Sequence, residues 1–285
     1  GNEDEMNTSI SKFRTFVTVG DSGTILTSSD GTTWTSRTSG TSDNLIGITY
    51  GNSTFITVGD SGTILTSSDG TTWTSRTSGT SVSLYGITYG NSTFVTVGDS
   101  GTILTSSDGT TWTSRTSGTS NFLLGINYVN STFMTVGDSG TILTSSDGTT
   151  WTSRTSGTNP FYKVTYGNST FVISGSGGTI LTSSDGTTWT SRTSGTSVSL
   201  YGITYGNSTF VTVGDSGTIL TSSDGTTWTS RTSGTGNKLL GVTYGNGTFV
   251  TVGSNGTILT SSGGTTWTSR TSGTSNTLKG VIYSQ

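Results

Sequence analysis

The string in this sequence that most invites a chemical reading is Gly-Asp-Ser-Gly, at 20–23, 59–62, 98–101, 137–140 and 214–217. Such a string can surround a serine nucleophile. A serine needs a general base to take its proton, and the chain contains no His. Five copies at equivalent places read better as turns, with Gly supplying positive φ and Asp or Ser closing an Asx-type turn. Glycoside hydrolysis usually takes two carboxylates, one of raised pKa. The only glutamates are Glu3 and Glu5, in an N-terminal tail, and the aspartates of the body lie mostly in repeated turns. Zinc and copper sites want His or Cys, and neither occurs. Asp21, Asp60, Asp99, Asp138 and Asp215 offer calcium one carboxylate per turn without EF-hand spacing, a weak ligand set. The expectation is a chain with no catalytic residue, no metal and no cofactor.

Two further repeated residues carry chemistry. Arg37, Arg76, Arg115, Arg154, Arg192, Arg231 and Arg270 each follow a Trp by three positions. Odd spacing in a strand puts the two on opposite faces. Each Arg is therefore expected over the Trp of a neighbouring repeat, a cation–π contact of roughly 0.5–1 kcal/mol. Even spacing around the repeats favours this structural role over an anion-binding rim. Asn52, Asn91, Asn130, Asn168, Asn207 and Asn246 open Asn-x-Ser/Thr sequons, which carry glycans in a eukaryotic secretory pathway; they also occupy tight turns, where Asn is favoured.

The net charge is −3, and without Glu3, Asp4 and Glu5 twelve Asp face twelve Lys plus Arg. A neutral body gives no electrostatic footprint for nucleic acid or an anionic membrane. No apolar run is long enough to span a bilayer. There is no Cys, so the redox compartment is unreadable. The leading Gly and the residues after it read as a processed or cloned start. Residues 1–12 are expected to be a flexible tail and 13–285 one domain, from a protein secreted or periplasmic in a bacterium.

The elements that must position these residues follow from repetition. Trp34, Trp73, Trp112, Trp151, Trp189, Trp228 and Trp267 are spaced by 39, 39, 39, 38, 39 and 39 residues. A period near 40 with β-branched content points to propeller blades of four strands each. One unit predicts strands at 84–89, 93–98, 102–107 and 110–117. Its turns are Gly90-Asn91-Ser92, Asp99-Ser100-Gly101 and Asp108-Gly109. Asp-Gly is the strongest two-residue hairpin signal, with positive φ expected at both residues. Adjacent apolar pairs such as Ile103-Leu104 face opposite sides of a strand, so the first three strands are buried on both faces. The fourth is polar apart from its Trp, which suits an outer rim. The chain enters on a second-type strand, 15–19, and leaves on a first-type strand, 278–283. Pairing those ends closes a ring of seven blades and removes free edges. An open β-solenoid would leave the interlocking ends unexplained. The fold class is thus all-β, a seven-bladed β-propeller of four-stranded antiparallel blades.

Ser-Ser-Asp-Gly-Thr-Thr-Trp, at 28–34, 67–73, 106–112, 145–151, 183–189 and 222–228, resembles the Asp-box of the bacterial neuraminidase repeat family. It is also similar to the repeats of photosystem II stability and assembly factors. One residue between Asp and Trp is missing relative to the usual Ser-x-Asp-x-Gly-x-x-Trp. The resemblance implies a structural hairpin away from the active face, with Asp30, Asp69, Asp108, Asp147, Asp185 and Asp224 binding local backbone N–H groups. Sialidases of this kind need an arginine cluster with a Tyr and a Glu, and the body has no Glu. The seventh copy carries Gly263 in place of Asp.

The copies differ mainly where one repeat joins the next: DNLIG (43–47), VSLYG (82–86), NFLLG (121–125), NPFYK (159–163), VSLYG (198–202), NKLLG (237–241) and NTLKG (276–280). The third position is always Leu or Phe, a core signature. The fourth varies, as Ile46, Tyr85, Leu124, Tyr162, Tyr201, Leu240 and Lys279. In propellers these connections share one face with the second-to-third-strand turns, around the channel mouth. Phe122, Phe161, Lys163 and Lys238 complete the candidate face. Pro160, the one-residue-shorter connection and Ser174-Gly175-Ser176-Gly177 break the symmetry, pointing to a groove beside blades 4 and 5. The reading is a monomeric, non-catalytic binding or scaffold propeller with a protein or carbohydrate partner. The alternatives are a recently amplified or engineered repeat without a dedicated ligand, and a degenerate glycan-processing enzyme.

Overall fold

A computed structural model describes residues 14–285. The proposed tail lies outside the described residues. Seven four-stranded antiparallel sheets make seven blades. Blades are numbered here by their Trp, from Trp34 in blade 1 to Trp267 in blade 7. Each runs outward from an inner strand, such as Leu84–Gly90, through Thr93–Gly98 and Ile103–Ser106 to a short outer strand, Thr113–Arg115. In blade 1 the inner strand is the chain's last, Leu278–Tyr283, paired antiparallel with Phe16–Gly20. Ser284 N–H donating to Thr15 O (3.0 Å) extends this closure.

The cores lie between blades. Ile56, Val58 and Ile64 of blade 2 pack with Leu84, Ile87, Phe94 and Leu104 of blade 3. The closing interface is built from the matching positions, with Val250, Val252 and Ile258 of blade 7 against Phe16, Leu26, Leu278 and Val281. Phe94 is completely buried, a burial worth roughly 1.5–3 kcal/mol. It pairs across the strands with Tyr89 at 4.5 Å between ring centroids, the rings tilted by 50° and so away from the face-to-face sandwich that aromatic rings disfavour. Close approach of the inner strands depends on glycine: a Cβ on Gly51 would overlap the Tyr89 ring of the next blade.

The turns differ from expectation in two ways. At Asp108-Gly109 only Gly has positive φ (80°), and the connection spans 107–112. Asp108 shapes it through its side chain, whose Oδ1 accepts from Thr110 N–H (2.8 Å) and Thr111 N–H (3.0 Å). Those two N–H groups hold the carboxyl below its ordinary pKa. The tight hairpin with two positive-φ residues is instead Asn91-Ser92 (48° and 57°), flanked by the paired Gly90 and Thr93.

The arginines also depart from expectation. Trp34 precedes its outer strand, Thr35–Arg37, so strand alternation does not relate the two. Arg37 Nε donates to Thr27 Oγ1 on the adjacent strand (3.0 Å), and all seven arginines repeat this bond. The cation–π contact among the described residues is Lys238 over Tyr201.

Candidate functional site

Each inner strand slips register once against its neighbour. Leu45 faces Gly59 and Gly47 faces Val58, leaving Ile46 as the extra residue. The same slip isolates Tyr85, Leu124, Tyr162, Tyr201, Leu240 and Lys279. A bulge turns its residue out of the strand's alternation. These seven side chains, with Lys163, line one cavity of about 190 Å³ at the channel mouth. The channel below it, about 180 Å³, is lined by glycine, threonine and branched aliphatic residues of the inner strands. Ile46, Lys163 and Lys279 border both spaces.

The mouth is aromatic on one side. Tyr162 and Tyr201 lie 4.9 Å apart between centroids with their rings tilted by 50°, and Tyr85 lies 6.3 Å from Phe122. Phe122, 42% exposed, is the exposed large hydrophobic residue among those described. It sits outside the cavity lining, as does Lys238. Phe161 is a correction to the candidate face: it is 1% exposed and packs with Met134, Val136 and Phe171 in the core between blades 4 and 5. It occupies the third, core position of its segment.

Carboxylates of the second-to-third-strand turns rim the mouth. Asp21 Oδ1 pairs with Lys279 Nζ at 2.9 Å, and Asp215 Oδ1 lies 3.7 Å from Lys238 Nζ. Asp215 also accepts from the Tyr201 hydroxyl (3.2 Å). Burial and then Asp215 push the Tyr201 phenol up; burial and then Asp99 do the same to Tyr85. Both tyrosines therefore stay neutral hydrogen-bond donors at ordinary pH. Asp60 accepts from Asn44 Nδ2 and Ser83 Oγ.

Blade 5 departs from the repeat at four connected places. Gly47, Gly86, Gly125, Gly202, Gly241 and Gly280 occupy one ring position, and blade 5 has Lys163 there. A Cβ on Gly47 or Gly202 would meet Val58 or Val213 Cγ2 at 3.2 Å. Opposite Lys163 the valine is replaced by Ser174, which has no γ-methyl. The turn aspartate becomes Ser176. Ile173 replaces the threonine whose hydroxyl, as in Thr57 to Gly47 O (2.7 Å), caps the ring carbonyl in the other blades. Lys163 Nζ donates to Leu124 O at 3.4 Å, and burial lowers its pKa to about 8.

Beside blades 4 and 5, where a groove was expected on the mouth face, there is an outer recess of about 390 Å³, separate from the mouth cavity and lined by Ser156–Asn159, Phe161 and Trp189. Trp189 Nε1 lacks the partner that the other tryptophans find in a glycine carbonyl, as Trp34 does in Gly31. Wider recesses of about 740 and 700 Å³ flank blade 7 on either side, so the outer recess is not peculiar to blades 4 and 5.

No protein-family model matches the chain, and no curated protein matches its sequence. Solved structures do match its fold. YCF48 from Cyanidioschyzon merolae aligns with a TM-score of 0.62 at 17% identity, covering 79% of this chain and 84% of that one. YCF48 bound to D1 peptide aligns with a TM-score of 0.71 at 18% identity, covering 88% of each. The chain is thus a seven-bladed propeller similar in fold to a photosystem II assembly factor, as the resemblance of its repeats implied.

Proposed function

We propose that the protein is a non-catalytic binding module whose channel mouth receives a segment of a partner protein. The observation that carries this is convergence: the variable residue of all seven repeats enters one cavity through a bulge. Variation falls on a shared concave surface, while the hairpins on the other face repeat almost unchanged. The mouth supplies what a peptide anchor needs, apolar walls and a few placed polar groups. The cavity lining carries Tyr, Leu, Ile and Lys and no carboxylate, which supports binding over hydrolysis. A neighbour of the same fold was captured with a peptide.

The test is selection of binders from a random peptide library on the wild-type protein, followed by affinity measurement on Tyr162→Ala/Tyr201→Ala. Binding is expected to weaken at least tenfold while the fold, followed by circular dichroism, is kept. Binders that compete with one another yet ignore both tyrosines and Tyr85→Ala would overturn the reading.

A further inference from the structure

The neck between mouth and channel holds a cation that the protein itself does not neutralise. Lys163 replaces a ring glycine, and its strand partner Ser174 replaces the valine that would crowd the new Cβ. Ser174 Oγ is fully buried and without a hydrogen-bond partner. The turn of the same blade has lost its aspartate to Ser176. The blade therefore offers Lys163 no carboxylate from its own turn, a change that blade 7 shares through Ser254. The other charges nearby are engaged: Lys279 on Asp21, and Asp215 with Lys238 and Tyr201. Tyr85, Tyr162 and Tyr201 face the same cavity; Asp99 stands against Tyr85 as Asp215 does against Tyr201, and Asp60 and Asp138 also act on Tyr85 from neighbouring turns.

We infer that the neck of the mouth is a site for a small monocarboxylic acid with an apolar body, its carboxylate on Lys163 Nζ and its body among Tyr85, Leu124, Tyr162, Tyr201 and Leu240. Size and charge both point this way. A space of about 190 Å³ falls below that of drug-sized pockets, so it takes a body the size of one side chain. A single unpaired ammonium behind an acidic rim admits one carboxylate and repels polyanions. The site shares its location with the partner-binding reading but not its occupant, and it stands whether or not a protein covers the mouth.

The probe is 3-phenylpropionate, with 3-phenylpropanamide as the neutral control, followed by calorimetry and by chemical shifts of the mouth tyrosines. The acid is expected to bind at least tenfold more tightly than the amide. Lys163→Met, which keeps the stem and removes the charge, should erase that preference, and so should Lys163→Gly, which restores the repeat. Between pH 6.5 and 9.5 affinity should fall, by roughly eightfold for a tenfold charge preference and by at most about thirtyfold, as Lys163, with its pKa near 8, loses its proton. Equal binding of acid and amide, no binding of the acid to the folded wild type, or an undiminished preference in Lys163→Met would each overturn the inference. A peptide that binds through Tyr162 and Tyr201 while the acid fails would leave the partner reading standing and remove this one.

Discussion

Gly263→Asp should stabilise the protein, because blade 7 lacks a hairpin bond that the other blades make. In blade 2, Asp69 Oδ1 accepts from Thr71 N–H (2.8 Å), Thr72 N–H (3.0 Å) and Ser67 Oγ (3.0 Å). Blade 7 retains the matching Ser261, whose Oγ accepts from Gly264 N–H (2.8 Å). A Cβ on Gly263 meets nothing within 4 Å, and its φ is not in the left-handed region. The new carboxylate would accept from Thr265 and Thr266 as a helix N-cap accepts from its first turn, worth about 1 kcal/mol. Removing a glycine from the unfolded chain adds roughly 0.4–1 kcal/mol. The total of about 1.5–2 kcal/mol corresponds to a rise in Tm of about 3–8 °C for a domain of this size. The two parts separate by pH. Bound N–H groups lower the folded pKa of such an Asp, as they do for Asp69. Its contribution is therefore complete above the unfolded value near 3.9 and is lost as pH falls through the folded value. Calorimetry of wild type and variant at pH 7 and pH 2 should show a gain that shrinks in acid to the glycine part. No gain at pH 7, or a gain undiminished at pH 2, would refute the account of this hairpin.

Ser92→Gly should stabilise by about 0.5–1 kcal/mol in chemical denaturation, since Ser92 holds φ at 57°, a strained value without cost to glycine; Gly247 already occupies that place in blade 7. Thr96→Val should cost about 1–3 kcal/mol, because the buried Thr96 hydroxyl donates to Gly86 O at 2.7 Å and its loss strands a carbonyl. Gly167→Ala should cost more than 1 kcal/mol by overpacking, its Cβ falling on the Tyr205 ring. Deleting 278–285 should yield aggregating protein by light scattering, since it bares the edge of Phe16–Gly20 and open edges pair with other chains.

Much of the architecture was readable from the residues themselves. The Trp spacing counts the blades, and Thr93–Gly98 carries its adjacent apolar pair, buried on both faces, and its turns within ten residues of itself. The fourth-position residues were legible as variable and as sharing the mouth face, but not as bulged into one cavity. Ile46 and Lys279 lie more than two hundred residues apart and meet only because seven inner strands close about one axis and bulge where they do so. Phe161, grouped with the face for its neighbours, belongs to the core, as the Leu-or-Phe signature at the third position of its segment already indicated. Asp108-Gly109 shows a local limit: the dipeptide signals a turn, but whether Asp contributes its φ or its carboxylate depends on which N–H groups the following residues present. Lys163 stood out as a charge in a variable segment. Its meaning came from its partner Ser174, eleven residues on and across the sheet.

Sequence alone determined the repeat, the strand order within a blade and the closure of the ring, because each follows from short-range periodicity and from ends that complement one another. Tertiary structure decided which residues line the cavity at the mouth, because a bulge is set by the packing of inner strands from different blades, and that crowding is invisible to any single repeat.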